Sequence, residues 1–263
     1  MLASQRRSVI LELVEQAGAV KVSELVDRLG VSDMTIRRDI DRLSGEGLLE
    51  RVHGGALAVG ERSTEEPSFS AKAQLQRPQK QAIARAAAGR VEPGSAIGIS
   101  AGTTTYELAR AVADVPDLTV VTNSVPVAQL LHESRTPGQT VVLTGGVRTP
   151  SDALVGPVAV SSLRSLHVDQ LFLGAHGVDD RAGLTTPNLV EAETNRALIA
   201  SARRVCVLAD ASKWGRIGLS TFADLQDIDL FVTDEGLSER ARTALHDLVG
   251  KLEIVHTTTG ARS

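Results

Sequence analysis

One cysteine, Cys206, in 263 residues excludes an internal disulfide and any clustered-cysteine metal site. Lying in the apolar run Val205-Cys206-Val207-Leu208, it reads as a buried structural thiol. The six histidines show no HxxxH or similar paired-ligand spacing, so no metal is expected. Aromatics make up 2% of the chain, which leaves Val, Leu, Ile and Ala to build the core. No run approaches the roughly 18 uninterrupted apolar residues of a membrane-spanning helix. Arg6, Arg7 and Glu12 occupy the stretch that a signal peptide would keep apolar, so a cytoplasmic location is expected. Positive charge is not in excess either. Lys and Arg number 28 against 32 Asp and Glu, a net of −4, which argues against a nonspecific nucleic-acid coat and a polybasic membrane-surface protein. The GxxxxGK[ST] and GxGxxG patterns are absent, which makes nucleotide-triphosphate and dinucleotide readings poor, and no cofactor is expected.

What is present is concentrated near the N-terminus, in SDMTIRRDIDRLSGEGLLERVHGG, residues 32–55. With Ser32 as N-cap and Asp33 in the first turn, Ile36, Ile40 and Leu43 fall on one helical face that must be buried. Met34, Arg38, Asp41 and Arg42 point the opposite way, with Thr35 and Arg37 on the flanks. Upstream, Val22-Ser23 precedes the apolar set Leu25, Val26 and Leu29. Gly30 ends that helix and leaves a three-residue turn before Ser32, which is helix-turn-helix spacing. An earlier helix over 4–17 supplies Val9, Ile10, Leu13, Val14 and Ala17 as a third wall. After the reading helix, residues 47–55 alternate and then turn on glycines, which predicts a β-hairpin wing. Double-stranded DNA is the partner that such a surface fits. The residues expected to meet it are Ser32, Met34, Thr35, Arg37, Arg38, Arg42, Arg51 and His53, the last two from the wing. The plainer alternative is an interaction domain with the same helices and a solvated charged face. Charge alone does not separate the two: residues 1–58 hold eight Lys or Arg against nine acids, a net of −1, so any DNA contact is local.

The apolar periodicity lapses over 59–77, expected to be a linker, and 78–263 is long enough for one sizeable α/β domain. Apolar runs at 96–100, 118–122, 140–143, 170–174, 205–209 and 230–233 alternate with helix-like segments, which predicts a mainly parallel sheet covered by helices. Ligands in such sheets sit beyond the C-terminal ends of strands. There Ser100, Gly102, Thr103, Thr104 and Thr105 lead into a helix expected over 103–113, offering free N–H groups and hydroxyls to an anion, a small phosphate ester above all. Helix capping by Thr103 and packing by Gly102 is the competing account. Asn123, Ser124 and the glycine turns at 145–146 and 174–177 mark other strand ends. Asp210 and Lys213 offer a carboxylate for sugar hydroxyls and an ammonium for phosphate, or else a surface ion pair. Glu191 begins a helix expected over 191–202 and is either a ligand contact or a favourable first-turn acid.

The segment TIRRDIDRLSGEGLLERVHGGA, preceded by VSELVDRLGVS, closely resembles the N-terminal domain of DeoR-family bacterial transcription regulators. The resemblance continues through AGTTT, TNS, LTGG, DQLFLGAHG, the Glu191 segment and LADASKWG in the family's order. It implies a winged helix-turn-helix at 1–58 that usually represses, joined to an effector domain similar to the sugar-phosphate isomerase and CoA-transferase group of folds. It further implies a phosphorylated sugar as effector, with contacts at Gly102, Thr103, Thr104, Thr105, Asn123, Ser124, Glu191, Asp210 and Lys213. The chain departs from the family at Ser100, where Asp is common, and at Asn195, where Lys is frequent. The expected function is a repressor of carbohydrate-metabolism genes, homo-oligomeric as a dimer or tetramer on repeated half-sites. Two alternatives stay open: an isomerase-like enzyme with Glu191 or Asp210 as base, and an activator or sensor of an unphosphorylated metabolite.

Overall fold

The computed structural model describes residues 2–17, 19–52, 54–57 and 68–257. Two compact units divide the chain, Met1–Gln76 and Arg77–Ser263.

In the first unit, α1 (Ala3–Ala17) leads through β1 (Ala19–Lys21) into α2 (Val22–Leu29) and α3 (Asp33–Gly45). The turn between α2 and α3 rests on Gly30, whose φ of 64° is left-handed backbone that glycine takes without a Cβ penalty. Ser32 then caps α3, its Oγ accepting from the Thr35 N–H at 3.3 Å. Ile10, Leu11, Val14, Leu25, Ile36, Ile40, Leu43 and Leu49 form one core. The wing is β2 (Glu50–Val52) antiparallel to β3 (Gly55–Leu57), with Arg51 opposite Ala56. β3 also pairs with β1, so the wing is a three-stranded sheet in the order β1-β3-β2 rather than the expected lone hairpin. β1 escaped the sequence reading because three residues are too few for period-2 alternation to register. Of the expected linker, 59–67 lies outside the described residues. Of the remainder, Phe69–Ala73 forms α4, Leu75 packs on the first core and Arg77 already begins a helix of the second unit.

The second unit opens with α5 (Arg77–Ala88), followed by β4 (Ala96–Ile99), α6 (Thr103–Ala111), β5 (Thr119–Thr122), α7 (Val125–Ser134) and β6 (Thr140–Leu143). A two-stranded ribbon, β7 (Val147–Arg148) with β8 (Leu154–Val155), leads to α8 (Pro157–Leu163) and β9 (Gln170–Leu173). Then come β10 (Gly177–Asp179), β11 (Gly183–Thr186), α9 (Leu189–Ala200), β12 (Val205–Leu208), β13 (Ser220–Ala223), β14 (Leu230–Asp234), α10 (Glu239–Leu248) and β15 (Leu252–Val255). The main sheet is seven-stranded and parallel throughout, ordered β15-β14-β12-β9-β4-β5-β6. Alternation along the strands feeds two cores. Cys206, Leu208, Leu230 and Val232 face α5, α6 and α7, while Val205, Val207 and Phe231 face residues of α8, α9 and α10. A smaller antiparallel sheet, β10-β11-β13, was not foreseen: its strands are three or four residues long and rich in Gly and Thr. The strand order reverses between β4 and β9, and the loops that follow these two strands border the crevice where ligands of such sheets bind.

Candidate nucleic-acid interface and effector site

On α3, Met34 is 68% exposed, an apolar side chain kept in solvent on the face away from Ile36 and Ile40. Arg38 is exposed and makes no ion pair among the described residues. The other arginines of this surface are engaged. Arg37 Nε meets Asp33 Oδ1 at 2.5 Å and its Nη2 meets Oδ2 at 3.3 Å; Arg42 Nε meets Glu46 at 3.1 Å; and Arg51 on the wing pairs with Asp41. Thr35 shares a 2.9 Å hydrogen bond with Ser32 at the exposed start of the helix. His53 lies outside the described residues. The structure thus brings Ser32, Met34, Thr35, Arg37, Arg38 and Arg42 together on one helix, and the Arg51–Asp41 pair ties the wing to it. Asp39, next to Arg38 in sequence, does something different. It is 5% exposed and takes Arg6 Nε at 2.6 Å, with Arg7 at 3.7 Å, fastening α1 to α3. Two of the eight basic residues in 1–58 are thereby spent on folding. Sequence reading missed that pair, although an aspartate flanking the apolar stripe at Ile36 and Ile40 was the available signal.

In the second unit Ser100, Asn123 and Asp210 stand just beyond the C-terminal ends of β4, β5 and β12, and Gly102–Thr105 lead from β4 into α6. Ser100 is fully buried, and its Oγ accepts from the Gly174 N–H at 3.0 Å, stitching the end of β4 to the end of β9. Asn123, 1% exposed, accepts from the Ala101 N–H at 2.8 Å and donates to the Leu154 carbonyl at 3.3 Å, which braces the loop into α6. Ser124 caps α7 through the Val127 N–H. Thr105 turns its hydroxyl back onto the Gly102 carbonyl at 3.0 Å. Thr103 does not cap the helix, as the competing account would have it. α6 begins at Gly102 with no side-chain cap, whereas α3, α7, α9 and α10 are capped by Ser32, Ser124, Asn188 and Ser238. An uncapped first turn leaves backbone N–H groups for an anion. The helix carrying Glu191 starts two residues earlier than expected, because Asn188 Oδ1 accepts from both Val190 and Glu191 N–H groups at 3.0 and 3.2 Å. Glu191 sits in its first turn and Asn195 one turn on, 5% exposed.

Asp210 is the most constrained group of this edge. It is 2% exposed; its Oδ1 accepts from the Ser212 N–H at 3.2 Å and from the Ser212 hydroxyl, while Oδ2 is buried with no hydrogen-bond partner. Burial alone would push its carboxyl above the ordinary carboxylate range. Lys213, Lys80 and Arg216, with the Ser212 hydrogen bond, outweigh burial and hold the carboxyl below the ordinary carboxylate range. Asp234, at the end of the neighbouring β14, is pushed up by burial and by Asp210, against the pull of the Ala211 and Gly236 N–H groups it accepts. Neither Lys80 nor Arg216 was singled out from sequence. Lys80 is 3% exposed and occupies the stripe Lys80, Ile83, Ala84 and Ala87 of α5; a lysine on an apolar stripe was the signal that would have found it. On the opposite, N-terminal edge of the sheet lies a depression of about 620 Å³. Its Asp169 and Asp229 are occupied with the Ala96 and Val205 N–H groups, so they anchor strand starts rather than a ligand. Among the described residues no group of three or more His, Cys, Asp or Glu could hold a metal, and no helix is long and apolar enough to cross a membrane.

Comparison with known proteins gives two matches along the chain: a DeoR-like helix-turn-helix domain over residues 6–62 and a DeoR C-terminal sensor domain over 75–235. Among curated relatives, the HTH-type transcriptional regulator GlpR of Haloferax volcanii is 40% identical over 92% of this chain and 94% of its own. The transcriptional repressor AccR of Agrobacterium fabrum is 34% identical over 94% of both chains. The lactose phosphotransferase system repressor of Streptococcus mutans is 33% identical over 89% of this chain and 93% of its own.

Proposed function

The chain belongs to the DeoR family of transcriptional regulators, and from that premise we propose that it represses carbohydrate-metabolism genes and releases operator DNA when a phosphorylated sugar occupies its second unit. A lactose-system repressor among its relatives supports the carbohydrate reading. The observation that carries the effector class is a pairing on one sheet edge. An uncapped helix N-terminus at Gly102 suits a phosphate, and the buried Asp210, one oxygen of which has no hydrogen-bond partner, suits a sugar hydroxyl. Lys213, acting on Asp210, places a cation at the same edge. Ser100, Asn123 and Ser124 serve this site by fixing the loops around it, Thr103, Thr104 and Thr105 form the first turn of α6 beside it, and Glu191 is assigned to it by the family resemblance.

Titration calorimetry with sugar phosphates, matched against the same sugars without phosphate, tests this reading. A hydrogen bond to a charged group contributes about 1.5–3 kcal/mol, so Asp210→Asn should weaken the best ligand by roughly 10-fold to 150-fold. An Asp210→Asn protein that binds every ligand as the wild type does would move the site elsewhere. A second reading, a sensor of an unphosphorylated metabolite, rests on Asn195: a buried neutral amide stands one turn after Glu191. Equal affinity for a sugar with and without its phosphate would favour it. The oligomer proposed for repeated half-sites, a dimer or a tetramer, is checked by sedimentation of the free protein.

A further inference from the structure

Three of the four arginines on the candidate reading surface are held by acids of the same unit, and in two of these pairs an exposed carboxylate competes with any phosphate for the guanidinium. Arg37 is gripped through two nitrogens by Asp33, one turn earlier on α3, and Arg51 on β2 is gripped by Asp41 on the outer face of α3. In both pairs both side chains are exposed, 42% and 57% for Arg37 and Asp33, 53% and 48% for Arg51 and Asp41. These pairs are therefore not a means of burying charge, in contrast to Arg6–Asp39. Residues 1–58 carry a net charge of −1, so the pull on a phosphate backbone depends on whether these arginines are available.

Nonspecific binding is almost entirely phosphate neutralisation, with log K falling against log salt by about 0.9 for each phosphate neutralised. An arginine that stays with its carboxylate neutralises no phosphate. Exchanging that carboxylate for a phosphate at an arbitrary position trades one ion pair for another and leaves the acid facing the backbone. At a correct site the same exchange is compensated, because a guanidinium can take a bidentate base edge while its neighbours meet phosphates in register. We propose that Asp33 and Asp41 are specificity-determining residues, which keep Arg37 and Arg51 from nonspecific DNA and yield them only to the operator. The inference rests on the DNA-binding reading of the first unit.

The test compares full-length wild type, Asp33→Asn, Asp41→Asn and the double variant on an operator duplex and a scrambled duplex of equal length, each across a salt series. Asp27→Asn is the control: Asp27 is exposed on α2, has no ion pair among the described residues, and its loss changes net charge by the same unit. The slope on scrambled DNA should steepen by about 0.9 for each arginine released, while the operator slope stays that of the wild type and the ratio of the two affinities falls. An unchanged slope on scrambled DNA, an equal change on both duplexes, or the same change from Asp27→Asn would overturn the proposal. Because Asp41 stands outside the first turn of α3, Asp41→Asn keeps the test decisive if Asp33→Asn destabilises that turn. Failure of the wild type to prefer the operator at any salt would instead overturn the DNA-binding reading itself.

Discussion

Arg38 differs from every other arginine of its surface in being exposed and without an ion pair among the described residues, so it reaches a base edge or phosphate at no cost of exchange. A good bidentate contact discriminates by about 1–3 kcal/mol, and Arg38→Ala should weaken operator binding roughly 5-fold to 150-fold at fixed salt. Unchanged anisotropy titrations would remove Arg38 from the reading surface. At the other extreme is Cys206, fully buried in β12 with its thiol pushed up to about 12 by burial. The reactive species is the thiolate, so the folded protein at pH 8 should resist thiol-labelling reagents and react only once unfolded. Rapid labelling under native conditions would contradict the packing of β12. The exposure of Arg38 and the burial of Cys206 were both legible in sequence, because each follows from position on a periodic element. The partners of Arg37, Arg42 and Arg51 were not, since opposite charges one turn apart on a helix allow an ion pair without requiring it.

At the scale of elements, the fastening of α1 to α3 by Arg6 and Asp39 is a buried charge pair, and removing one member strands the other. Asp39→Ala should cost about 3 kcal/mol of unfolding free energy, read as a lower urea midpoint with an unchanged slope. A midpoint equal to that of the wild type would show that the pair is dispensable. The helix-turn-helix was legible because Ser32, Gly30 and the Ile36, Ile40, Leu43 stripe each dictate one local feature and all agree. β1, β7 and β8 were not, being two or three residues long and defined by their partners rather than by their own pattern. The start of α9 was misplaced for a related reason. Asn188 follows Pro187, and its capping role exists only once its side chain reaches the Val190 and Glu191 N–H groups.

For the whole molecule, the parallel sheet was predictable from its alternation with helices, and its C-terminal edge from the rule that ligands bind there. The contents of that edge were predictable only in part. Asp210 and Lys213 follow a strand directly, but Lys80 arrives from α5, the element that opens the second unit, 130 residues away in sequence. Lys213→Ala should abolish relief by the effector while leaving operator affinity in its absence within about twofold, since coupling between sites of roughly 1–3 kcal/mol is what the substitution removes. A Lys213→Ala protein that still releases DNA at ordinary effector concentrations would exclude Lys213 from the site.

The central claim, that one chain couples operator release to a phosphorylated sugar, is tested most directly by fluorescence anisotropy at fixed salt on DNA from the gene's own upstream region, with and without a panel of sugar phosphates. Specific binding that one panel member weakens by roughly 5-fold to 150-fold is the predicted result. Specific binding that ignores every sugar phosphate, yet yields to an unphosphorylated metabolite, would contradict it.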